Sequence, residues 1–140
     1  MNTQRIVLAG LVGGLVMVVI DGFANAVVFA PAWAEAYQAL GLPAENPAVP
    51  AYWISFDLLA GVIMAWLYAA LLPRFGTGMR TAIYVGLVEW LLVHMALFSH
   101  LADRVFPPKP LLGAGAIELV AAIAGGLVVR RLYRDAAPAT

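Results

Sequence analysis

The chain contains no cysteine, and only 11% of its 140 residues are charged. Without cysteine it can form no disulfide, no thiolate metal site and no covalent haem attachment. A soluble domain carries about a quarter charged residues, whereas this chain is 64% hydrophobic with a mean hydropathy of +0.90. The composition therefore indicates a membrane protein with the lipid bilayer as its partner, and the net charge of zero gives no reason to expect nucleic acid.

The hydrophobic residues form four long runs, at about 6–30, 52–72, 79–101 and 111–129. Each approaches or exceeds the roughly 20 residues that a helix needs to cross the hydrocarbon layer. The sequence predicts a single all-α transmembrane domain over residues 1–140, an antiparallel four-helix transmembrane bundle, in which two helical hairpins can form a tandem repeat. A signal peptide is the alternative for the first run, but the run is too long and carries Asp21.

The basic residues are distributed unequally between the two sides of this predicted bundle. Because basic residues next to a span are retained in the cytoplasm, the side that holds most of them is predicted to be cytoplasmic. Six lie at the termini and in the second loop: Arg5, Arg74, Arg80, Arg130, Arg131 and Arg134. Only Arg104 and Lys109 lie on the other side. We therefore expect a multi-pass protein of a bacterial inner membrane with both termini in the cytoplasm.

The first outer loop, at about 31–51, contains Trp33, Tyr37 and Leu40 at helical spacing. This pattern predicts a short amphipathic helix in the headgroup layer, which either anchors the hairpin or covers a site as a lid. The prolines at 43, 47 and 50 predict no regular structure from there to residue 50.

Each apolar run carries one carboxylic acid and no basic residue in its interior; the acids are Asp21, Asp57, Glu89 and Glu118. An ionisable group in hydrocarbon costs a few kcal/mol or more, about 2.5–3.5 on insertion scales, and normally faces the bundle interior. Helical spacing places every acid on the stripe of small residues by which membrane helices pack together, and the stripe of Asp21 continues through Asn25 to Val28. The sequence thus predicts that the four acids converge in a polar column that opens to the outer side.

Two classes of function remain open for this cluster. In the first, it binds or translocates a cation, a proton or an amphipathic cationic ligand; the predicted ligand-binding residues are Asp21, Asn25, Asp57, Glu89, Glu118 and His100. The oxygen-rich set Asp21, Asp57 and Glu118 suits a hard divalent cation or Mn²⁺, although no particular metal is indicated. In the second, the acids are protonated braces between helices, and the chain is a non-catalytic subunit or scaffold of a larger membrane complex.

Catalytic chemistry finds little support, because no nucleophile and base share a helix face, and no cofactor is indicated. His94 lies five residues after Glu89, about 140° round the helix, and shares a stripe with Trp90. It is predicted to be a hydrogen-bonded interfacial residue, with a dimer contact or an axial haem ligand as alternatives. Gly13 and the His94 face leave room for a homodimer.

Several segments carry a resemblance: Arg5, Ala9–Leu11 with Gly14, Asp21 with Asn25, Trp33, Ala39–Gly41, Trp66–Ala70 leading to Pro73–Gly76, and Glu118 ahead of Leu132–Arg134. In these the chain resembles a family of small, uncharacterised bacterial inner-membrane proteins with four predicted transmembrane helices. The resemblance implies the four-span architecture and points to Asp21, where the family tends to have Glu, and to Asn25 and Glu118. It matches no pattern at Asp57, Glu89 or His94, and it implies no reaction.

Overall fold

The computed structural model describes residues 2–43 and 46–133, and this part of the chain contains helices and no strand. Arg134, one of the basic residues that favour the predicted orientation, lies outside the described residues. The elements are α1 (Thr3–Phe23), a π-helical turn (Ala24–Val28), α2 (Ala30–Ala39), α3 (Ala48–Phe75), α4 (Met79–Leu97), α5 (Ser99–Ala102) and α6 (Pro108–Leu132).

Four helical segments are long and apolar enough to cross a membrane: Thr3–Val28, Ala48–Phe75, Met79–Ala102 and Pro108–Leu132. The predicted all-α bundle with four membrane spans is therefore confirmed. The predicted irregular segment up to Pro50 is wrong at its end, because α3 already begins at Ala48. Proline is tolerated there, since the N–H groups of a first helical turn have no partner within the helix.

The helices pack unequally around the bundle. α1 lies between α3 and α6 and packs extensively against both, α4 packs against α6, and the contact between α3 and α4 is much smaller. Glycines make the α1–α3 approach possible: a Cβ on Gly61 would lie 2.5 Å from the backbone nitrogen of Gly14 and would also meet the carbonyl oxygen of Gly10. The predicted packing stripes of small residues are therefore used in this interface.

Gly13 lies on the other flank of α1, against α6. A Cβ on Gly13 would be 2.8 Å from Cγ2 of Val129 and 3.1 Å from the carbonyl oxygen of Gly125. The expectation that Gly13 is left for a second copy of the chain is wrong, because α6 occupies that face.

The turn between α3 and α4 is hydrogen-bonded to the C-terminal end of α6. The Thr77 carbonyl oxygen accepts hydrogen bonds from Tyr68 Oη at 3.3 Å and from Arg130 Nε at 3.0 Å. Thr81 Oγ1 donates to the Gly76 carbonyl oxygen at 2.7 Å. These bonds hold α3, α4 and α6 together at the predicted cytoplasmic end and fix the depth at which their acids lie.

At the opposite end lies α2, a short helix as predicted for the loop between the first two spans. Its Trp33 and Tyr37 rings pack edge-on against Phe106, with ring centroids 5.9 and 6.4 Å away, and the His100 ring packs against the same phenyl group at 6.0 Å. This aromatic cluster joins α2 to the connection between α5 and α6. A cavity of about 720 Å³ lies here, and none of the four acids lines it.

Candidate intramembrane carboxyl site

The four acids meet inside the bundle, each supplied by a different span. Asp57, Glu89 and Glu118 are 4%, 9% and 8% exposed, and Asp21 is half-buried. Asp21 and Glu89 both act electrostatically on Asp57, and all three act on Glu118. The convergence that the shared stripe predicts is therefore present, while the role of these residues in ligand binding stays a prediction.

The side chains of Asp21 and Glu118 lie close enough to interact directly. Two neighbouring carboxylates repel each other when both are ionised, which favours the state in which one of them carries a proton. The pair links α1 to α6 and favours either a proton or a cation between its two groups.

A chain of hydrogen bonds leads from this pair to the outer helix α2. Asn25 Nδ2 donates to Asp21 Oδ1 at 2.8 Å and to the Asp21 carbonyl oxygen at 3.1 Å. Trp33 Nε1 donates to Asn25 Oδ1 at 2.9 Å. Asp21 is thus connected through Asn25 to α2.

Asn25 belongs to the π-helical turn Ala24–Val28. Such turns insert one residue into an α-helix and are frequent at functional sites. The inserted residue rotates the helix beyond it, so Val28, which α-helical spacing places on the acid stripe, points outward and is 60% exposed. That part of the predicted stripe is wrong, because the sequence gives no signal for the change of helical period.

Glu89 differs from the other acids in its surroundings. Both of its carboxyl oxygens are buried and have no hydrogen-bond partner among the described residues. Its side chain lines a cavity of about 180 Å³ between α3 and α4, whose other lining residues are apolar. Leaving a buried polar atom without a partner costs about 1–3 kcal/mol, so these oxygens lower the stability of the bundle.

His94 is buried between α4 and α6, at 3% exposure. Its ring stacks on Trp90 with a centroid distance of 5.0 Å, and Nδ1 donates to the Trp90 carbonyl oxygen at 3.0 Å. The predicted hydrogen-bonded histidine is therefore confirmed, and its burial leaves no lipid-facing surface for the alternative dimer contact.

The sequence did not indicate that His94 reaches the carboxyl site, yet the structure shows an electrostatic interaction between His94 and Asp21. Gly115 makes this possible: a Cβ there would lie 3.0 Å from His94 Cδ2, so a larger residue would push the ring away. Gly115 in α6, opposite His94 in α4, is the sequence feature that could have indicated the position of the His94 ring. Trp33, the donor to Asn25, was noticed only as part of the amphipathic pattern.

His100 is the predicted site residue that lies away from the four acids. It lies in the outer aromatic cluster with Nδ1 buried and unpartnered among the described residues. The electrostatic partners of the four acids are one another and His94.

The geometry gives no support to the predicted metal site at Asp21, Asp57 and Glu118. Within residues 2–43 and 46–133, no group of three or more His, Asp or Glu side chains is arranged to hold a metal ion. A metal ion needs several oxygens at about 2.0–2.6 Å from one point. The role of Asp21, Asp57 and Glu118 as metal ligands stays a prediction.

Comparison with known proteins found no matching family, no matching curated protein and no matching solved structure. The resemblance to the four-span bacterial family therefore stays a prediction, and the candidate site rests on the geometry of this chain alone.

Proposed function

We propose that this chain is a small multi-pass protein of a bacterial inner membrane that binds a cation at its carboxyl cluster, in exchange for protons that the cluster otherwise holds. The observation that carries this proposal is the burial of carboxylic acids from separate spans inside the bundle, with Asp21 and Glu118 close enough to interact directly. Two neighbouring carboxylates repel each other unless a proton or a cation lies between them.

The charge of the surroundings supports a cationic ligand. In the sequence of each span no Lys or Arg neighbours the acid, and the nearest basic residues flank the ends of the spans. His94 is the basic side chain that interacts with the cluster. Because buried charges must be paired or neutralised, the cluster needs either protons or a bound cation.

An ammonium-type cation fits the arrangement better than a metal ion. A metal ion requires its ligands around one point at short distance, and no such group is present in the described residues. An ammonium group carries several N–H donors that can reach separate acceptors. The carboxyl oxygens of Asp21 and Glu118 supply acceptors of this kind, beside Asn25, which donates to Asp21.

We propose that the ligand approaches from the outer side and that α2 acts as a lid. Asp21 is the least buried of the four acids, and it is connected through Asn25 to Trp33 of α2. Moving α2 away would break the Trp33–Asn25 bond and uncover the end of the cluster.

The proposal is tested by thermal unfolding in lipid nanodiscs with ethylammonium, Mg²⁺, Ca²⁺ or Mn²⁺. Ethylammonium is expected to stabilise the wild type by about 2.7 kcal/mol at a hundred times its dissociation constant. Asp57→Asn should remove this gain, whereas Asp103→Asn, an exposed acid outside the cluster, should keep it. Stabilisation by a divalent metal ion alone would instead support the metal form of the site, and a flat response to every cation would contradict cation binding.

A scaffold function is the second candidate, and the same hydrogen bonds favour it. Asp21 joins α1 to α6 through Glu118 and to α2 through Asn25 and Trp33, which is what a neutral brace in a subunit of a larger membrane complex would do. In this case Asp57→Asn leaves stability nearly unchanged, and no cation shifts the unfolding temperature of either protein.

The orientation that we propose, with cytoplasmic termini, is tested by cysteine labelling. The chain has no natural cysteine, so Gln38→Cys on α2 and Thr77→Cys in the α3–α4 turn each provide a single reactive site. An impermeant thiol reagent should label the first and not the second in intact cells. Labelling of the second alone would reverse the orientation.

A further inference from the structure

The cavity at the end of the bundle that carries α2 lies apart from the carboxyl cluster. Its volume of about 720 Å³ falls within the roughly 300–1,000 Å³ of pockets that hold drug-sized ligands. α2 forms one wall, and α5 with its connection to α6 forms the other. α2 follows the first span, and the connection separates the third span from the fourth. The cavity therefore lies where the spans end, at the level of the lipid headgroups, whichever way the chain is oriented.

Two side chains of opposite charge line this cavity, one on each wall. Glu35 lies on α2, and Arg104 lies on the connection that follows α5. Both are exposed, and no hydrogen bond or ion pair joins either side chain to another described residue. A ligand that enters the cavity can therefore reach both groups, which together are complementary to a molecule with one anionic and one cationic group.

The remaining lining of the cavity is apolar and favours a lipid over a small water-soluble zwitterion. Beside the two charged residues it consists of alanine, leucine, valine, phenylalanine and proline side chains, among them Leu101, Val105 and Phe106. A small zwitterion would leave this apolar surface in water. A phospholipid would cover it with its glycerol group and the first methylenes of its acyl chains, and burial of apolar surface is favourable.

The two charges also distinguish between phospholipid headgroups. The Arg104 guanidinium suits a phosphate, which accepts two parallel N–H bonds from it. The Glu35 carboxylate suits a primary ammonium group, which donates N–H bonds. A choline group has no N–H and is typically held by a cage of several aromatic rings, whereas Phe106 is the aromatic residue of this lining. A phosphoglycerol headgroup has no positive charge, so Glu35 would repel it.

We propose that this cavity binds the headgroup of phosphatidylethanolamine, with the phosphate at Arg104 and the ammonium group at Glu35. The bound lipid joins α2 to the connection between α5 and α6, which the ring contacts of Trp33 and Tyr37 with Phe106 already hold together. The site goes beyond the proposed cation binding and shares no residue with the carboxyl cluster, so either can fail without the other.

The test measures lipid binding with an environment-sensitive fluorophore beside the cavity. Because the chain has no cysteine, Gln38→Cys on α2 takes a single label, and Thr77→Cys takes one at the opposite end as a control for lipid bound there. The full chain in detergent micelles is titrated with phosphatidylethanolamine, phosphatidylcholine or phosphatidylglycerol of identical acyl chains. At the first label, phosphatidylethanolamine should bind about fivefold more tightly than the others, where fivefold corresponds to about 1 kcal/mol.

Variants of the two charged residues should have different signatures in the protein labelled at Gln38→Cys. Arg104→Gln should weaken phosphatidylethanolamine and phosphatidylglycerol alike, because both carry the phosphate. Glu35→Gln should weaken phosphatidylethanolamine alone and remove its preference over phosphatidylglycerol, because the ammonium partner and the repulsion are lost together. Lys109→Gln and Asp103→Asn remove the same charges at exposed positions outside the lining and should bind like the unsubstituted protein.

A variant that fills the cavity tests the site without changing its charge. Ala39→Phe places a ring on the α2 wall and should weaken phosphatidylethanolamine by about fivefold, or about 1 kcal/mol. Ala51→Phe adds the same ring at an exposed position in the first turn of α3, outside the lining, and should leave binding unchanged. The filled variant and the charge variants fold independently of one another, so failure of one to fold leaves the others as tests.

Several results would overturn the lipid site while leaving cation binding by the carboxyl cluster intact. Equal affinities for the three lipids at the Gln38→Cys label would show that the two charges do not select a headgroup. Equal losses in Arg104→Gln and Lys109→Gln would show a general effect of surface charge. Free phosphoethanolamine that displaces the lipid at a similar concentration would show that the cavity takes a water-soluble zwitterion and not a lipid.

Discussion

The two faces of α3 contrast in how they meet their neighbours. Toward α1, Gly61 lets the two backbones come into direct contact with Gly10 and Gly14. Toward α4, Ala60 and Met64 border a cavity. The acids follow this division: Asp21, on the closely packed helix α1, accepts a hydrogen bond from Asn25, whereas Glu89, beside the cavity, has no partner among the described residues. Close packing thus accompanies the carboxyl group that is hydrogen-bonded, and loose packing accompanies the one that is not.

The largest loss of stability is expected when a substitution forces α1 and α3 apart. Gly61→Ala places a methyl group against backbone atoms of Gly10 and Gly14, which cannot move without separating the helices. We expect a loss of about 3 kcal/mol in the free energy of unfolding, the upper part of the usual range for overpacking, measured by denaturation in mild detergent.

Gly22→Ala is the matched control for this substitution. A Cβ on Gly22 meets nothing within 4 Å, and alanine is favoured over glycine within a helix by about 0.5–1 kcal/mol, so this variant should be as stable as the wild type or more so. Equal stability of the two variants would show that the α1–α3 contact is looser than described.

Replacing Glu118 and replacing Glu89 should change the free energy of unfolding in different directions. Glu118→Leu removes the buried side chain that interacts with Asp21 across the α1–α6 interface and should lower the free energy of unfolding by about 1–3 kcal/mol. Glu89→Leu instead removes two buried unpartnered oxygens and should leave the free energy of unfolding unchanged or raise it. Chemical denaturation of the ligand-free protein measures both, and destabilisation of equal size would remove the distinction between the two acids.

A smaller effect is expected at the interface of α4 and α6. Trp90 Nε1 donates to the Gly115 carbonyl oxygen at 2.7 Å, and Trp90→Phe removes this bond, at about 1 kcal/mol net. Trp66→Phe changes a side chain that is 54% exposed on α3 and should lie within about 0.5 kcal/mol of the wild type. If Trp66→Phe proves the more costly of the two, the Trp90 bond does not stabilise the interface.

The parts of the fold that depend on regular helical spacing could be predicted from the sequence. Hydropathy alone locates the four spans, and the period of the α-helix places Asp21, Asp57, Glu89 and Glu118 on the packing stripes, so their convergence is expected. Val28 departs from this pattern because the π-helical turn changes the period locally, and no residue type signals that change.

Contacts that depend on which helices become neighbours could not be predicted in this way. The sequence shows that Gly13 and His94 lie on particular faces, but not that α6 packs against both of those faces. The cavity beside Glu89 likewise depends on the unequal spacing between helices. These features arise from three-dimensional packing between distant segments, which helical periodicity does not determine.

The central claim is that the carboxyl cluster exchanges protons for a bound cation, and difference infrared spectroscopy of the protein in nanodiscs tests it most directly. Adding ethylammonium should decrease the C=O absorption of protonated carboxyl groups and increase carboxylate absorption, with a smaller change in Glu118→Gln. A carboxylic-acid band that stays unchanged at every ethylammonium concentration, in protein that remains folded, would contradict the account.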